Sequence, residues 1–172
     1  MVDFGIALWS QTATWQEYLD AALLVDRLGY DLLLTNDHLL SEVGPDDQVK
    51  FEAWTTLAAW ASVTQHSRLG HWVGGNTMRN PAVVAKMAVT VDHASNGRTI
   101  LGIGSGWFER EHAAYGIEFG TSAGERLDWL DEAVGIMRGL LNGETVTHDG
   151  PHYRVDNLTM YPPPVNGTLP IM

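Results

Sequence analysis

The sequence predicts a parallel α/β fold, about the first half of a (β/α)8 barrel, and three observations carry that prediction. Apolar runs of strand length alternate four times with amphipathic helical stretches, the pattern of a parallel sheet with crossover helices. The strand at Asp31–Leu34 is a continuous apolar run rather than an alternating one, which suits a strand covered on both faces. Four such units and a strand stub fill 172 residues, whereas a complete barrel takes ~250. An open parallel sheet is the competing arrangement of the same elements. No linker divides the chain, so residues 1–172 read as one partial domain.

The elements follow in order. Val2–Leu8 is short and apolar and reads as a buried strand. Thr14 and Glu17 form a capping-box pattern, and Tyr18, Ala21, Ala22, Val25 and Leu28 recur at helical spacing up to Gly29. Asp31–Leu34 is the second strand, and the polar residues 41–50 with Gly44-Pro45 are a loop. Phe51–Thr64 reads as the second helix and Arg68–Val73 as the third strand. Asn80-Pro81 opens the third helix with its N-cap and N1 residues in favoured places, and Asn96-Gly97 ends it. Thr99–Ile103 is the fourth strand. Ser122 and Glu125 form a second capping box ahead of a longer helix marked by Leu127, Leu130, Val134, Met137 and Leu141. Val146–Val155 resembles a hairpin centred on Asp149-Gly150. The connector Tyr161–Pro164 leads to Leu169–Met172, which starts like a fifth strand.

Composition narrows the chemistry. The net charge is −11, from ten Lys and Arg against 21 Asp and Glu, so long-range repulsion argues against nucleic-acid partners. No apolar stretch reaches the ~20 residues of a membrane span. Cysteine is absent, which leaves no disulfide framework or thiolate metal site. Without a basic-then-apolar leader pattern at the N-terminus, a cytoplasmic location is expected.

Both parallel architectures bind ligands beyond the C-terminal ends of their strands. The residues there are Trp9-Ser10, Asn36-Asp37-His38, Gly74-Gly75-Asn76-Thr77 and Gly104-Ser105-Gly106-Trp107. His38 is a candidate acid or base, since imidazole titrates near neutrality. Asp37 is either a turn cap or a site carboxylate. The glycine pairs permit a bulge or close backbone approach to a flat ligand, although a plain tight turn would use them equally well. Gly102–Gly106 is not a complete dinucleotide fingerprint and follows the fourth strand rather than the first. His66, His71, His93, His112, His148 and His152 lack metal-ligand spacing, so no metal site is expected, and His148 and His152 are taken as surface residues.

Asp37-His38, the block Gly75–Met87, the block Leu101–His112, Glu125-Arg126 and the hairpin Glu144–Tyr153 resemble the bacterial luciferase-like family, in particular its coenzyme F420-dependent branch. The resemblance covers essentially the whole chain. It implies a (β/α)8 barrel with a flat isoalloxazine-like ring at its mouth, and F420 as cofactor with FMN as the alternative. It further implies a non-prolyl cis peptide in the region Trp72, Val73, Gly74 and Gly75 backing the ring. His38 is then the proton handler and Asp37 a contact to the ring or to His38. Asn76 and Thr77 hydrogen-bond the ring's polar edge, and Gly104, Ser105 and Gly106 lie beneath it. Trp107 stands near the place where sugar-phosphate-oxidising relatives carry an acid, which argues against that substrate. The main phosphate-binding loops are expected in the second half of the barrel, so the chain is either a natural half-barrel or a piece of a longer protein.

The leading expectation is hydride transfer between F420 and a small organic substrate. The alternatives are an FMN-dependent monooxygenase served by a flavin reductase, and a non-catalytic cofactor-binding half-barrel. A homodimer is expected. A metal-dependent hydrolase would want His-x-His where Trp9-Ser10-Gln11 stands. A glycosidase would need a facing carboxylate pair, for which Asp37 and Glu109 are the candidates.

Overall fold

The computed structural model describes residues 2–45 and 47–172. Its centre is a parallel sheet of β1 (Gly5–Leu8), β2 (Leu32–Thr35), β3 (Arg68–His71) and, further along the chain, β5 (Thr99–Ile100), in the order β1-β2-β3-β5. Register runs Leu8 to Thr35 and Thr35 to His71, so the ends of the first three strands are level. Leu101 forms a parallel bridge with Ile171, which makes the expected strand stub the sheet's next member. The architecture is a partial (β/α) barrel.

The third and fourth strands are each broken in two, not continuous as their apolar runs suggest. β3 ends at His71, the peptide between Trp72 and Val73 is cis, and β4 (Gly74–Gly75) then pairs in parallel with β6 (Ile103–Gly104). The break in the fourth strand falls at Gly102, where an added β-carbon would collide with the His71 carbonyl. Only glycine allows the two chains to approach this closely.

Helices α1 (Trp15–Arg27), α2 (Ala53–Val63), α3 (Pro81–Ala94) and α5 (Ala123–Leu141) accompany the sheet, with the short α4 (Glu109–Tyr115) after β6. The Thr14–Glu17 capping box is complete, with the Glu17 carboxylate accepting from Thr14 N–H and the Thr14 hydroxyl accepting from Glu17 N–H. At α5 only half of the box forms. Ser122 accepts from Glu125 N–H, while the Glu125 carboxylate turns to Thr121 instead. Helix α2 begins two residues later than expected, because the Glu52 carboxylate caps Trp54 and Thr55 N–H. Leu33, Leu57, Trp60, Leu69, Leu101, Ile136, Met137 and Leu140 form the buried core between sheet and helices. Buried Asp26 accepts from the N–H groups of Gln65, His66 and Ser67 at 2.8–2.9 Å and so ties α1 to the turn before β3.

The hairpin is longer than expected. β7 (Thr145–Asp149) and β8 (Arg154–Thr159) flank a four-residue loop, with a register shift between Val146 and His148. His148 is not the free surface residue the sequence suggested. Its Nε2 lies 2.7 Å from Glu132 Oε1, which also accepts the Tyr153 N–H. One part-buried carboxylate on α5 thereby holds both sides of the loop.

Candidate functional site

The strand ends converge on a cavity of about 340 Å³. Asp37 and His38 follow β2, Trp72 to Gly75 follow β3, and Gly104, Gly106 and Trp107 end the β6 segment. Met78 and Glu111 complete the lining. The walls are backbone at the four glycines and apolar at the mouth, where Trp72 and Trp107 are more than half exposed. Asn76, Thr77 and Ser105, the other residues singled out from sequence, do not line it. Buried Asn76 donates to the Tyr153 hydroxyl at 3.2 Å. Thr77 pairs with His112 Nε2 at 2.7 Å, while His112 Nδ1 meets the Phe108 carbonyl. Thr77 and Met78 also line a second cavity of about 440 Å³ with Glu118, Trp129 and the hairpin loop. That larger space gathers none of the strand-end glycines, so the chemistry points to the smaller one.

Asp37 and His38 are adjacent in sequence and do different things. Asp37 is buried and accepts from Gly75 N–H at 3.0 Å and from both terminal nitrogens of Arg79, at 2.7 and 3.0 Å. Arg79 also reaches Glu52 at 2.7 Å. Burial would raise the Asp37 pKa, but the Arg79 guanidinium and the Gly75 N–H hold the carboxyl below the ordinary range. Burial pushes the His71 pKa down, so its ring is neutral near pH 7 and the countercharge to Asp37 is Arg79. His71 packs edge-on against Trp54 at 4.5 Å beneath the cavity.

His38 stands on the cavity wall, its ring 5.6 Å from Trp107 and 6.0 Å from Phe108. Its Nδ1 lies 2.8 Å from Glu111 Oε1, and its Nε2 lies 3.5 Å from Glu42 Oε1. Glu42 pairs with Lys50 at 2.6 Å. Burial opposes the Glu42 charge, but Lys50 and the neighbouring His38 hold its pKa below the usual value. The carboxylate partner of His38 is therefore Glu111, and Asp37 makes no bond to it.

Glu111, Arg79, Glu42 and His71 stand in the site without a role expected from the sequence. Arg79 stands directly before the Asn80-Pro81 helix start, a marked position for a lone cation in an acidic chain. Glu111 and His112 form the buried side of α4, whereas Glu109 is exposed. Asp37 and Glu109 consequently do not form a facing pair across the cavity.

The family model described as luciferase-like monooxygenase matches residues 2–172. The chain belongs to that family. Among curated relatives of this luciferase-like chain, an F420-dependent glucose-6-phosphate dehydrogenase of Microbacterium testaceum (strain StLB037) is 32% identical over 162 residues, covering 94% of this chain and 47% of the relative. A protein of the same name from Intrasporangium calvum is 36% identical over 152 residues, 87% of this chain and 45% of the relative. The chain spans about half the length of these relatives. Among solved structures, an F420-dependent secondary alcohol dehydrogenase in complex with an F420-acetone adduct superposes with a TM-score of 0.84 at 25% identity, over 99% of this chain and 52% of the other. The monooxygenase RslO1 from Streptomyces bottropensis gives 0.81 at 26%, over 99% and 52%. No helix among the described residues is long and apolar enough to cross a membrane.

Proposed function

We propose that the luciferase-like chain forms the ring-binding part of an oxidoreductase that transfers hydride between coenzyme F420 and a small organic hydroxyl or carbonyl compound. The observation that supports this most is the cavity beside His38, whose walls at Gly74, Gly75, Gly104 and Gly106 have no side chains. Its size falls within the ~300–1,000 Å³ of small-molecule sites. At Gly104 a β-carbon would come within 2.8 Å of Val73 Cγ2, so the gap depends on glycine there. These features fit a planar ring lying on bare backbone.

A bound deazaflavin would accept or supply hydride. The chain's own residues would do the rest. His38 takes the proton from a substrate hydroxyl, or returns it to a carbonyl oxygen, through Nε2. That nitrogen is available because Nδ1 is engaged with Glu111 and because 3.5 Å to Glu42 exceeds a hydrogen bond. Asp37 fixes the cavity floor through Gly75 N–H. Trp72, Val73 and Trp107 give the mouth an apolar rim. The apolar indole at Trp107 supports a substrate that is not a sugar phosphate, even though relatives carry that activity in their names.

The similarity to a monooxygenase at 26% identity favours a second reading, FMN-dependent oxygenation with a partner reductase. In either reading the protein acts in the cytoplasm as a homodimer. Absorption titration of the protein with F420 and with FMN separates the two, since uptake of FMN alone would overturn the first. In the catalytically competent protein that carries this chain, His38→Ala lowers turnover at least ~100-fold, the scale of a lost general base, and leaves cofactor affinity intact. Near-normal turnover would refute the role of His38.

A further inference from the structure

We propose that Glu111 is the positioning residue for His38, fixing the proton on Nδ1 so that Nε2 is the nitrogen that exchanges protons with a molecule in the cavity. The inference rests on the reading of His38 as proton handler and deepens it.

The geometry assigns the two oxygens of Glu111 different tasks. Oε1 meets the imidazole Nδ1 at 2.8 Å. Oε2 accepts the backbone N–H of Leu39 at 2.7 Å, with Leu40 N–H at 3.4 Å. The same carboxylate thus holds the ring and the backbone that carries it, from an almost fully buried place on α4. A carboxylate can only accept at that contact, so Nδ1 carries the proton and the lone pair of the neutral ring falls on Nε2. A second carboxylate flanks the ring at Glu42, but its oxygens are committed to the Asn36 amide and to Lys50. Its 3.5 Å approach to Nε2 therefore does not compete for the proton. A buried carboxylate that orients a catalytic imidazole also stabilises the imidazolium formed when the ring accepts a proton.

A purely structural Glu111 would staple Leu39 and Leu40 and leave the ring indifferent. Glu111→Gln separates the two roles. Glutamine keeps an oxygen for Leu39 N–H but offers Nδ1 only an amide donor, so the neutral ring must move its proton to Nε2. The test is long-range ¹H–¹⁵N correlation of ¹⁵N-histidine-labelled protein above the imidazole titration, with no cofactor needed. His38 in the wild type is expected as the Nδ1–H tautomer, in Glu111→Gln as the Nε2–H tautomer, and in Glu42→Gln unchanged. In the competent protein Glu111→Gln loses kcat on the order of 100-fold or more, as for a base locked in the wrong tautomer, with KM little altered.

An Nε2–H tautomer in the wild type would overturn the proposal, and that measurement does not depend on any variant folding. A tautomer left unmoved by Glu111→Gln would overturn it equally. Should the tautomers behave as stated while His38→Ala retains turnover, the positioning stands and the proton-handling role fails. Loss of turnover in His38→Ala with a tautomer indifferent to residue 111 is the reverse case.

Discussion

Replacing Arg79 by leucine removes the cation that makes Asp37 tolerable in the cavity floor. The Asp37 side chain is 1% exposed and that of Arg79 16%. In Arg79→Leu the carboxylate keeps Gly75 N–H at 3.0 Å and loses two charge-assisted bonds at 2.7 and 3.0 Å. Neutral His71 supplies no replacement charge. Removing one partner of a buried pair costs ~3–5 kcal/mol, and the surviving Gly75 bond places the expectation near the lower figure, about 3 kcal/mol at pH 7.5. The pH dependence has a definite sign. Wild-type Asp37 has a lowered pKa, so its stabilisation is complete above the unfolded value of ~3.9 and disappears as pH falls through the folded value. Without Arg79 the buried carboxyl protonates at higher pH, so the destabilisation relative to wild type shrinks on acidification. Urea unfolding followed by far-UV circular dichroism at pH 7.5 and 4.5 measures both. The double variant Arg79→Leu/Asp37→Asn removes the stranded charge and should recover at least ~1 kcal/mol of the loss. A cost below ~1 kcal/mol at pH 7.5, or a double variant no more stable than the single, would refute the reasoning.

Two further outcomes follow from particular contacts. Gly104→Val introduces a branched side chain where even a β-carbon would approach Val73 Cγ2 at 2.8 Å; F420 affinity by absorption titration should fall at least ~10-fold while the circular dichroism spectrum is retained. Asp26→Ala leaves the N–H groups of Gln65, His66 and Ser67 without their acceptor, so the urea midpoint should drop by the equivalent of ~2–3 kcal/mol. Burial opposes the Asp26 charge, but those N–H groups hold its pKa low. Its contribution is therefore present above the unfolded pKa and lost as pH falls through the folded one, and the difference between variant and wild type should narrow in acid.

The outline of the fold was legible because its signals are local. Capping at Thr14 and Asn80, the apolar run before Thr35 and the glycine stops all act within a few residues, and the elements form where those signals place them. The break in the fourth strand was not legible. It falls where Gly102 meets the His71 carbonyl across 31 positions of sequence, and nothing within that segment reveals the approach; at the third strand the family resemblance implied the cis peptide found between Trp72 and Val73, while the apolar run alone did not. The hairpin loop was misplaced for a similar reason. Asp149-Gly150 is a strong local turn signal, yet Glu132 on α5 gathers His148 and Tyr153 N–H and sets a wider loop.

The site divides along the same line. Glycines at strand ends could be read in sequence, because their position relative to the strands fixes the rim they share. The pairing of polar groups could not. Adjacent Asp37 and His38 suggest a carboxylate–imidazole couple, but the two side chains find separate partners beyond the end of β2. Asp37 accordingly meets Gly75 and Arg79 in the floor, while His38 turns to Glu111, 73 residues away. Each of the two is thereby given its own partner, and the separation has a chemical consequence. A carboxylate paired with arginine stays ionised near neutral pH, whereas a carboxylate bonded to the imidazole itself is coupled to every proton the ring takes up. Placing Arg79 on Asp37 and leaving Glu111 to His38 puts the proton-linked contact on the cavity wall and a compensated charge in the floor.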